Sequence, residues 1–210
     1  FPAYLAGGFV PGRSRASLLK LAALLHDAGK PARAVRGAGG ETHFYGHAPA
    51  GKAVAEAVAQ RLRLARAERD YLCLLVASHM HLVHLTAQPA PTKTSVLHFF
   101  RKYGEDYRAL LLLFAADTRA TVGPKMTPGR LRGIRDAVAE MLRVFETELQ
   151  PRLKEPPLVS GRDLVERFGL REGPLIGDIL REVEDARLEG RLRDREAALE
   201  YAAGLLKDRG

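Results

Sequence analysis

Residues 17–31, SLLKLAALLHDAGKP, decide how the chain is read. Leu18, Leu21, Ala22 and Leu25 recur at i, i+3, i+4 and i+7, the spacing of one buried helix face. Pro31 follows closely and stops the helix. The run therefore predicts a helix over 17–27 that ends on two chemically active side chains, His26 and Asp27. Neighbours on a helix are about 100° apart. A long imidazole and a short carboxylate from such neighbours can still meet on one ion. Mixed nitrogen and oxygen donors suit a borderline divalent metal such as Mn, Fe, Ni, Co or Zn.

The same period recurs on both sides of a Gly-rich loop at 32–41. Pro49 opens a second helix through Val54, Val58 and Leu62. A third runs from Ala67 to Met80 with the stripe Leu72, Leu75, Val76 and His79. Gln88 to Thr94, with Pro89 and Pro91, reads as a connection to a short helix at 95–103. A fifth helix, Glu105 to Ala120, carries Leu110, Leu113, Phe114 and Asp117. After a loop at 123–129, a long helix is expected over 130–149, then a linker at Pro151–Pro157. Three shorter helices follow at 161–168, 174–189 and 194–206. No alternating strand pattern or hairpin dipeptide is evident, so the predicted class is all-α. The expected domains are 1–150 and 158–210.

Composition narrows the function classes. The 210 residues are 46% hydrophobic and 28% charged, an ordinary globular balance that excludes disorder and collagen-like repeats. A single cysteine, Cys73, excludes an intrachain disulfide framework and fits a reducing, cytoplasmic setting. No apolar run approaches the roughly 20 residues of a spanning helix. The net charge of +8 is uneven: residues 1–150 hold 21 basic against 12 acidic groups, and residues 151–210 hold 12 against 13. A localised positive excess fits a polyanion, or simply an Arg-rich solvated face. Residues 101–135 are the densest part, with 8 basic against 3 acidic. Arg119, Lys125, Arg130, Arg132 and Arg135 there are the candidate RNA-phosphate contacts.

All seven histidines lie between residues 26 and 98. A single one on an apolar stripe reads as a hydrogen-bonded core residue, but several polar residues meeting at helix ends read as a site. His26, Asp27, His47, His79 and Asp117 are the candidate metal ligands. Asp117 could instead pair with Arg119 or Arg108, and His47 could serve as a helix-entry residue. His43, His81 and His84 are weaker candidates, because His81 lies about 200° round the helix from His79 and the other two fall in expected loops.

These residues carry a resemblance. LLHDAGKP at 24–31, HFYGH at 43–47 with Gly51, then Ser78-His79-Met80 and Ala116-Asp117, resemble the HD superfamily of metal-dependent phosphohydrolases. The closer similarity is to the HD region in the C-terminal half of bacterial tRNA nucleotidyltransferases (CCA-adding enzymes) and related poly(A) polymerases. Residues 158–202 resemble the tRNA-contacting helical region of those proteins through Gly161, Asp163, Leu164, Gly173, Pro174, Gly177, Gly190 and Glu196. Together the two matches span roughly 16–204.

The resemblance implies an HD helical bundle followed by a small tRNA-contacting region. It implies a bound divalent ion (Mn, Ni, Co, Mg, Fe or Zn) and hydrolysis of phosphomonoesters or 2′,3′-cyclic phosphates, with RNA, tRNA in particular, as partner. Asp27 would then bridge or orient the catalytic water, and Lys30 would pair with a phosphate, although a solvated surface lysine reads equally well there. The alternative is a non-catalytic body that holds tRNA for a head domain. A third reading, a nucleotide-sensing regulator, is disfavoured by the tail. Two family features are missing from these residues: a nucleotidyltransferase head with paired aspartates, and the first His that normally precedes the HD pair. With Phe1 at its start, the chain is expected to be part of a longer protein.

Overall fold

The computed structural model describes residues 1–87, 91–121, 123 and 126–208. Pro89 of the expected connection and Lys125 lie outside the described residues. The architecture is all-α, as the helical periods require, with two short hairpins added. In chain order the first elements are α1 (Pro2–Ala6), β1 (Gly8–Val10), β2 (Arg13–Ser14) and α2 (Arg15–Leu25). A 3-10 turn at Pro31–Arg33 leads to β3 (Val35–Arg36) and β4 (Thr42–His43), then α3 (His47–Arg61), α4 (Arg66–Ser78) and α5 (Met80–Thr86). After these come α6 (Lys93–Tyr103) and α7 (Tyr107–Ala120). The chain continues through α8 (Pro128–Val144), a π-helical turn at Phe145–Leu149, α9 (Gln150–Leu153), α10 (Gly161–Phe168), α11 (Pro174–Leu188) and α12 (Arg195–Lys207).

Both hairpins are antiparallel, with Val35 opposite His43 and Arg36 opposite Thr42 in the second. They escaped the sequence reading because two or three residues per strand are too few to display a period of two. α5 was also missed, which moves His84 from an expected loop onto a helix. The expected linker at 151–157 opens with helix, since the π turn and α9 continue the helical path to Leu153.

The chain forms two compact units, Phe1–Ala90 with Tyr103–Arg135, and Pro91–Lys102 with Asp136–Gly210. In the first unit, α3 presents small residues, Gly51, Ala55 and Ala59, to α4. These let the backbones approach closely, and α4 answers with Leu72, Leu75 and Val76, all with no exposed surface. Each such side chain contributes about 1.5–3 kcal/mol by leaving water. Leu18 and Ala22 of α2 and Leu110, Leu113 and Phe114 of α7 complete this core. The stripes predicted on α4 and α7 are therefore buried faces, but the one predicted on α3 is not: Val54 and Leu62 are exposed, and the face turned to α4 is the small-residue one. α4 is also anchored at its start: Glu68, fully buried, accepts a hydrogen bond from the Ala65 amide at 2.8 Å, and Arg13 stands 2.8 Å from its other oxygen.

The second unit is organised around Val159, Leu164, Ile176, Ile179, Val183 and Ala198. Its helices start where local chemistry says they should. Ser160 and Asp163 form a reciprocal capping box on α10, Pro174 sits in the first turn of α11, and Asp194 caps α12 by accepting from the Ala197 amide. In α6 the Phe100 ring stacks on Phe145 at 3.8 Å, and Arg101 pairs with Asp185. In the long helix the expected amphipathic stripe is only partly realised: Met141 is buried, whereas Leu131 is exposed.

Candidate metal centre

Helix ends build the site. His26 is the C-terminal cap of α2 and Asp27 follows it in the turn. His47 is the first residue of α3, entered through Gly46 with φ 74°, a left-handed conformation that glycine adopts without steric cost. His79 stands at the junction of α4 and α5. The turn carrying Asp27 is pressed against α3. A Cβ on Gly29 would stand 2.1 Å from the His47 carbonyl oxygen and 2.5 Å from the Gly51 nitrogen. That approach leaves Gly29 no room for a side chain, and a Cβ on Gly51 would stand 3.1 Å from Val76 Cγ1, a tight fit. It places Asp27 beside His47.

One oxygen of Asp27, Nε2 of His47 and Nε2 of His79 lie within 4.8 Å of one another. Asp27 Oδ1 is 3.3 Å from His47 Nε2 and 3.7 Å from His79 Nε2. His26 adjoins this group: its Nε2 is 3.3 Å from Asp27 Oδ2 and 3.5 Å from Asp117 Oδ1. Although near both carboxylates, His26 Nε2 is buried and aligned for a hydrogen bond with neither. Asp117 thus meets the cluster through His26, and a third of its side chain remains exposed.

The tautomers follow from the hydrogen bonds. Nδ1 of His26 bonds to the Ala23 carbonyl at 2.8 Å, that of His47 to Phe44 at 2.9 Å, and that of His79 to Val76 at 2.7 Å. Carbonyls only accept, so each Nδ1 donates and each neutral ring offers an Nε2 lone pair. His47 Nε2 and His79 Nε2 are 3.1 Å apart. Two lone pairs cannot face each other at that separation without a proton or a cation between them. The spacing also matches two nitrogens on one ion at about 2.0–2.1 Å each, roughly 3–3.4 Å apart. Three imidazole lone pairs, one of them orphaned, beside a carboxylate form a donor set that fits a divalent metal.

The charges agree. Burial pushes the His79 imidazole down, and its neighbours His26 and His47 add to this, favouring the neutral ring that a metal needs. Partial burial tends to raise Asp27, but a hydrogen bond from Lys30 and the charges around it outweigh this and hold the carboxyl below its usual range. Lys30 Nζ is 2.5 Å from Asp27 Oδ2 and lies 5.6 Å from the Phe44 ring centroid. Phe44 thereby holds both His47, through its carbonyl, and Lys30, over its ring. Phe44 lies inside the HFYGH motif, but nothing in its side-chain type alone reveals this role.

Of the other four histidines, His84 is exposed on α5 and three have contacts elsewhere. His43 stacks on Tyr45, His81 bonds to the Tyr103 hydroxyl at 2.7 Å, and His98 lies 3.1 Å from Asp185. Arg119, Arg130, Arg132 and Arg135 are all exposed.

An all-α bundle with an adjacent His-Asp pair, and further histidines delivered by two other helix ends, defines the HD class. The HD domain family matches residues 3–120, and the chain belongs to it. Among individual proteins it is 33% identical to the CC-adding tRNA nucleotidyltransferase of Thermus thermophilus over 180 residues, which cover 85% of this chain and 38% of that protein. It is also 33% identical to the A-adding tRNA nucleotidyltransferase of Deinococcus radiodurans over 175 residues, 82% of this chain and 38% of that protein. A shorter match, 40% over 57 residues, links it to the CC-adding enzyme of Synechocystis and covers 27% of this chain and 14% of that protein. The chain thus spans well under half of the curated relatives it matches. Among the described residues no helix is long and apolar enough to cross a membrane.

Proposed function

We propose that the first unit is an HD-type, metal-dependent phosphohydrolase, a phosphatase or 2′,3′-cyclic phosphodiesterase acting at RNA ends. It would be part of a tRNA nucleotidyltransferase or poly(A) polymerase-like protein. The observation that carries this reading is the convergence of the Nε2 atoms of His47 and His79 on Asp27, with each ring's Nδ1 committed to a backbone carbonyl. Asp27, His47 and His79 would hold the ion, with His26 and Asp117 alongside. A divalent ion bound there supplies Lewis-acid polarisation of a phosphoryl oxygen and makes water more acidic.

The chain's own groups do the rest. Lys30, on the exposed side of Asp27, is placed to pair with a phosphate oxygen, and Phe44 restricts where its ammonium can go. Asp27 sits between that ammonium and the imidazoles, so it can orient a water. His79, buried, lies at the floor of the site. The test is hydrolysis of a 2′,3′-cyclic nucleotide and of p-nitrophenyl phosphate by the purified chain with Mn, Ni, Co or Mg. Turnover that disappears in Asp27→Asn is expected; no turnover with any of these ions overturns the assignment.

A second reading is supported by the charge of residues 101–135 and by the tRNA enzymes among the relatives. In it, residues 1–150 and 158–210 form a body that binds tRNA, with Arg119, Lys125, Arg130, Arg132 and Arg135 on the phosphates. Binding should then fall steeply with salt. Absence of tRNA binding at low salt counts against it.

A further inference from the structure

The two oxygens of Asp27 face two different donor sets. Oδ1 stands 3.3 Å from His47 Nε2 and 3.7 Å from His79 Nε2. Oδ2 stands 3.3 Å from His26 Nε2, which in turn lies 3.5 Å from Asp117 Oδ1. The second set offers a nitrogen and two carboxylates, enough to attract a cation of its own. One is already there: the Lys30 ammonium donates to Oδ2 at 2.5 Å. We propose that Lys30 is the built-in occupant of this second position. It limits the centre to one divalent ion, held by His47, His79 and Oδ1 of Asp27. The proposal rests on the metal-dependent reading of the first unit and adds a positioning role for Lys30, which fixes how many ions the centre takes.

Three observations carry it. The first is the state of His26. Its Nδ1 donates to the Ala23 carbonyl, so Nε2 is a lone pair, buried and without a hydrogen bond. A lone pair beside two carboxylates stabilises a cation, and Oδ2 is the oxygen that cation would share with Lys30. The second is how Lys30 is held. Its backbone amide donates to the Asp27 carbonyl at 3.0 Å and its ammonium to the Asp27 carboxylate. The lysine is therefore delivered with the oxygen it occupies, and it leaves Oδ2 only by giving up a charge-assisted hydrogen bond. Its remaining N–H groups stay available to a phosphate, so the two roles are compatible.

The third observation is charge. The carboxylates of the cluster are Asp27 and Asp117. One divalent ion balances their formal charge, and with Lys30 the cations already exceed it. A second ion would share Oδ2 with an ammonium, and like charges at contact distance repel strongly beside the buried His79. Two ions bridged by Asp27 need both of its oxygens, and Oδ2 is the one the ammonium holds.

The experiment counts ions. The parent, Lys30→Met and Lys30→Arg are stripped with a chelator and titrated with Mn²⁺ by calorimetry, and the loaded samples are followed by electron paramagnetic resonance. The parent should bind one ion and keep the resolved hyperfine pattern of an isolated Mn²⁺. Lys30→Met removes the ammonium at similar length and should bind two, with the pattern broadened by coupling between neighbouring ions. Its second ion should bind at least tenfold more tightly than any further ion binds the parent. Lys30→Arg keeps a cation on Oδ2 and should again bind one. Adding His26→Ala to Lys30→Met should return the count to one, which ties the second ion to this donor set. Lys30 is 39% exposed, so neither change at this position opens a cavity, and melting of the ion-free chains checks that they fold. Lys30→Gln replaces Lys30→Met should the methionine not fold. Two ions in the parent, one in Lys30→Met, or a second ion that survives His26→Ala would overturn the proposal. The hydrolysis assay is independent. A count that rises from one to two without turnover in any sample sinks the hydrolase reading alone, and turnover with an unchanged count sinks this proposal alone. A parent that binds no Mn²⁺ sinks both.

Discussion

Gly29→Ala tests the packing that builds the site. The added Cβ would lie 2.1 Å from the His47 carbonyl oxygen and 2.5 Å from the Gly51 nitrogen, both backbone atoms. A carbon–oxygen contact needs roughly 3.3 Å, so the turn and the start of α3 must separate by about 1 Å. Overpacking costs about 1–3 kcal/mol, and a clash of backbone with backbone has no rotamer to absorb it. We therefore expect a loss of about 3 kcal/mol. For a chain of this length that is roughly 6–12 °C in melting temperature. The same displacement carries His47 away from Asp27, because His47 is the first residue of the helix that moves. Affinity for Mn²⁺ should fall about 10–100-fold, the usual effect of disturbing the support of a metal ligand. Scanning calorimetry measures the first quantity and isothermal titration the second. Gly133→Ala is the control: with nothing within 4 Å of its Cβ, it should gain about 0.5–1 kcal/mol. If Gly29→Ala stays within about 0.5 kcal/mol of the parent and binds Mn²⁺ equally well, the argument from close approach is wrong.

Further outcomes are expected. Mn²⁺ at a hundred times its Kd should stabilise the parent by about 2.7 kcal/mol and a chelator should reverse this; His79→Ala should show no metal-dependent shift in a melting assay. Glu68→Ala should cost about 2–3 kcal/mol in urea unfolding, because it leaves the Ala65 amide without its buried acceptor and Arg13 without its paired carboxylate; an effect below about 0.5 kcal/mol would mean the anchor is idle. Hydrogen bonds from Arg195 and from Ser160 hold the Asp163 carboxyl well below its usual range. The unfolded chain then binds the proton first, so this contribution is complete above about pH 4 and is lost as pH falls further. Asp163→Asn should flatten that part of a stability–pH curve, and an unchanged slope would remove Asp163 from the explanation.

Much of this architecture can be read from spacing. Leu72, Leu75, Val76 and His79 recur at helical intervals, and all four are buried. The same argument overreached at Leu131, which is exposed, because periodicity says which side chains share a face and not whether anything covers it. His26, Asp27, His47 and His79 were all legible as polar residues at helix ends. The contact between Gly29 and Gly51 was not, since they are 22 positions apart and a glycine carries no sign of what excludes its side chain.

Helix ends deserve the credit for the donor set on physical grounds. In each of the three cases the imidazole bonds to the carbonyl three residues earlier: His26 to Ala23, His47 to Phe44, His79 to Val76. Ala23 and Val76 lie in the last turns of α2 and α4, where carbonyls have no amide four residues ahead to satisfy them. A histidine just past such a turn caps it, and in capping it fixes its own tautomer. The metal-facing nitrogen is thus set by backbone geometry within three residues, not by a distant carboxylate. It follows that removing Asp117 should leave the orientation of all three rings intact and weaken metal binding only through lost charge. Moving a helix end by one residue should be far more damaging than any single change to the surrounding side chains.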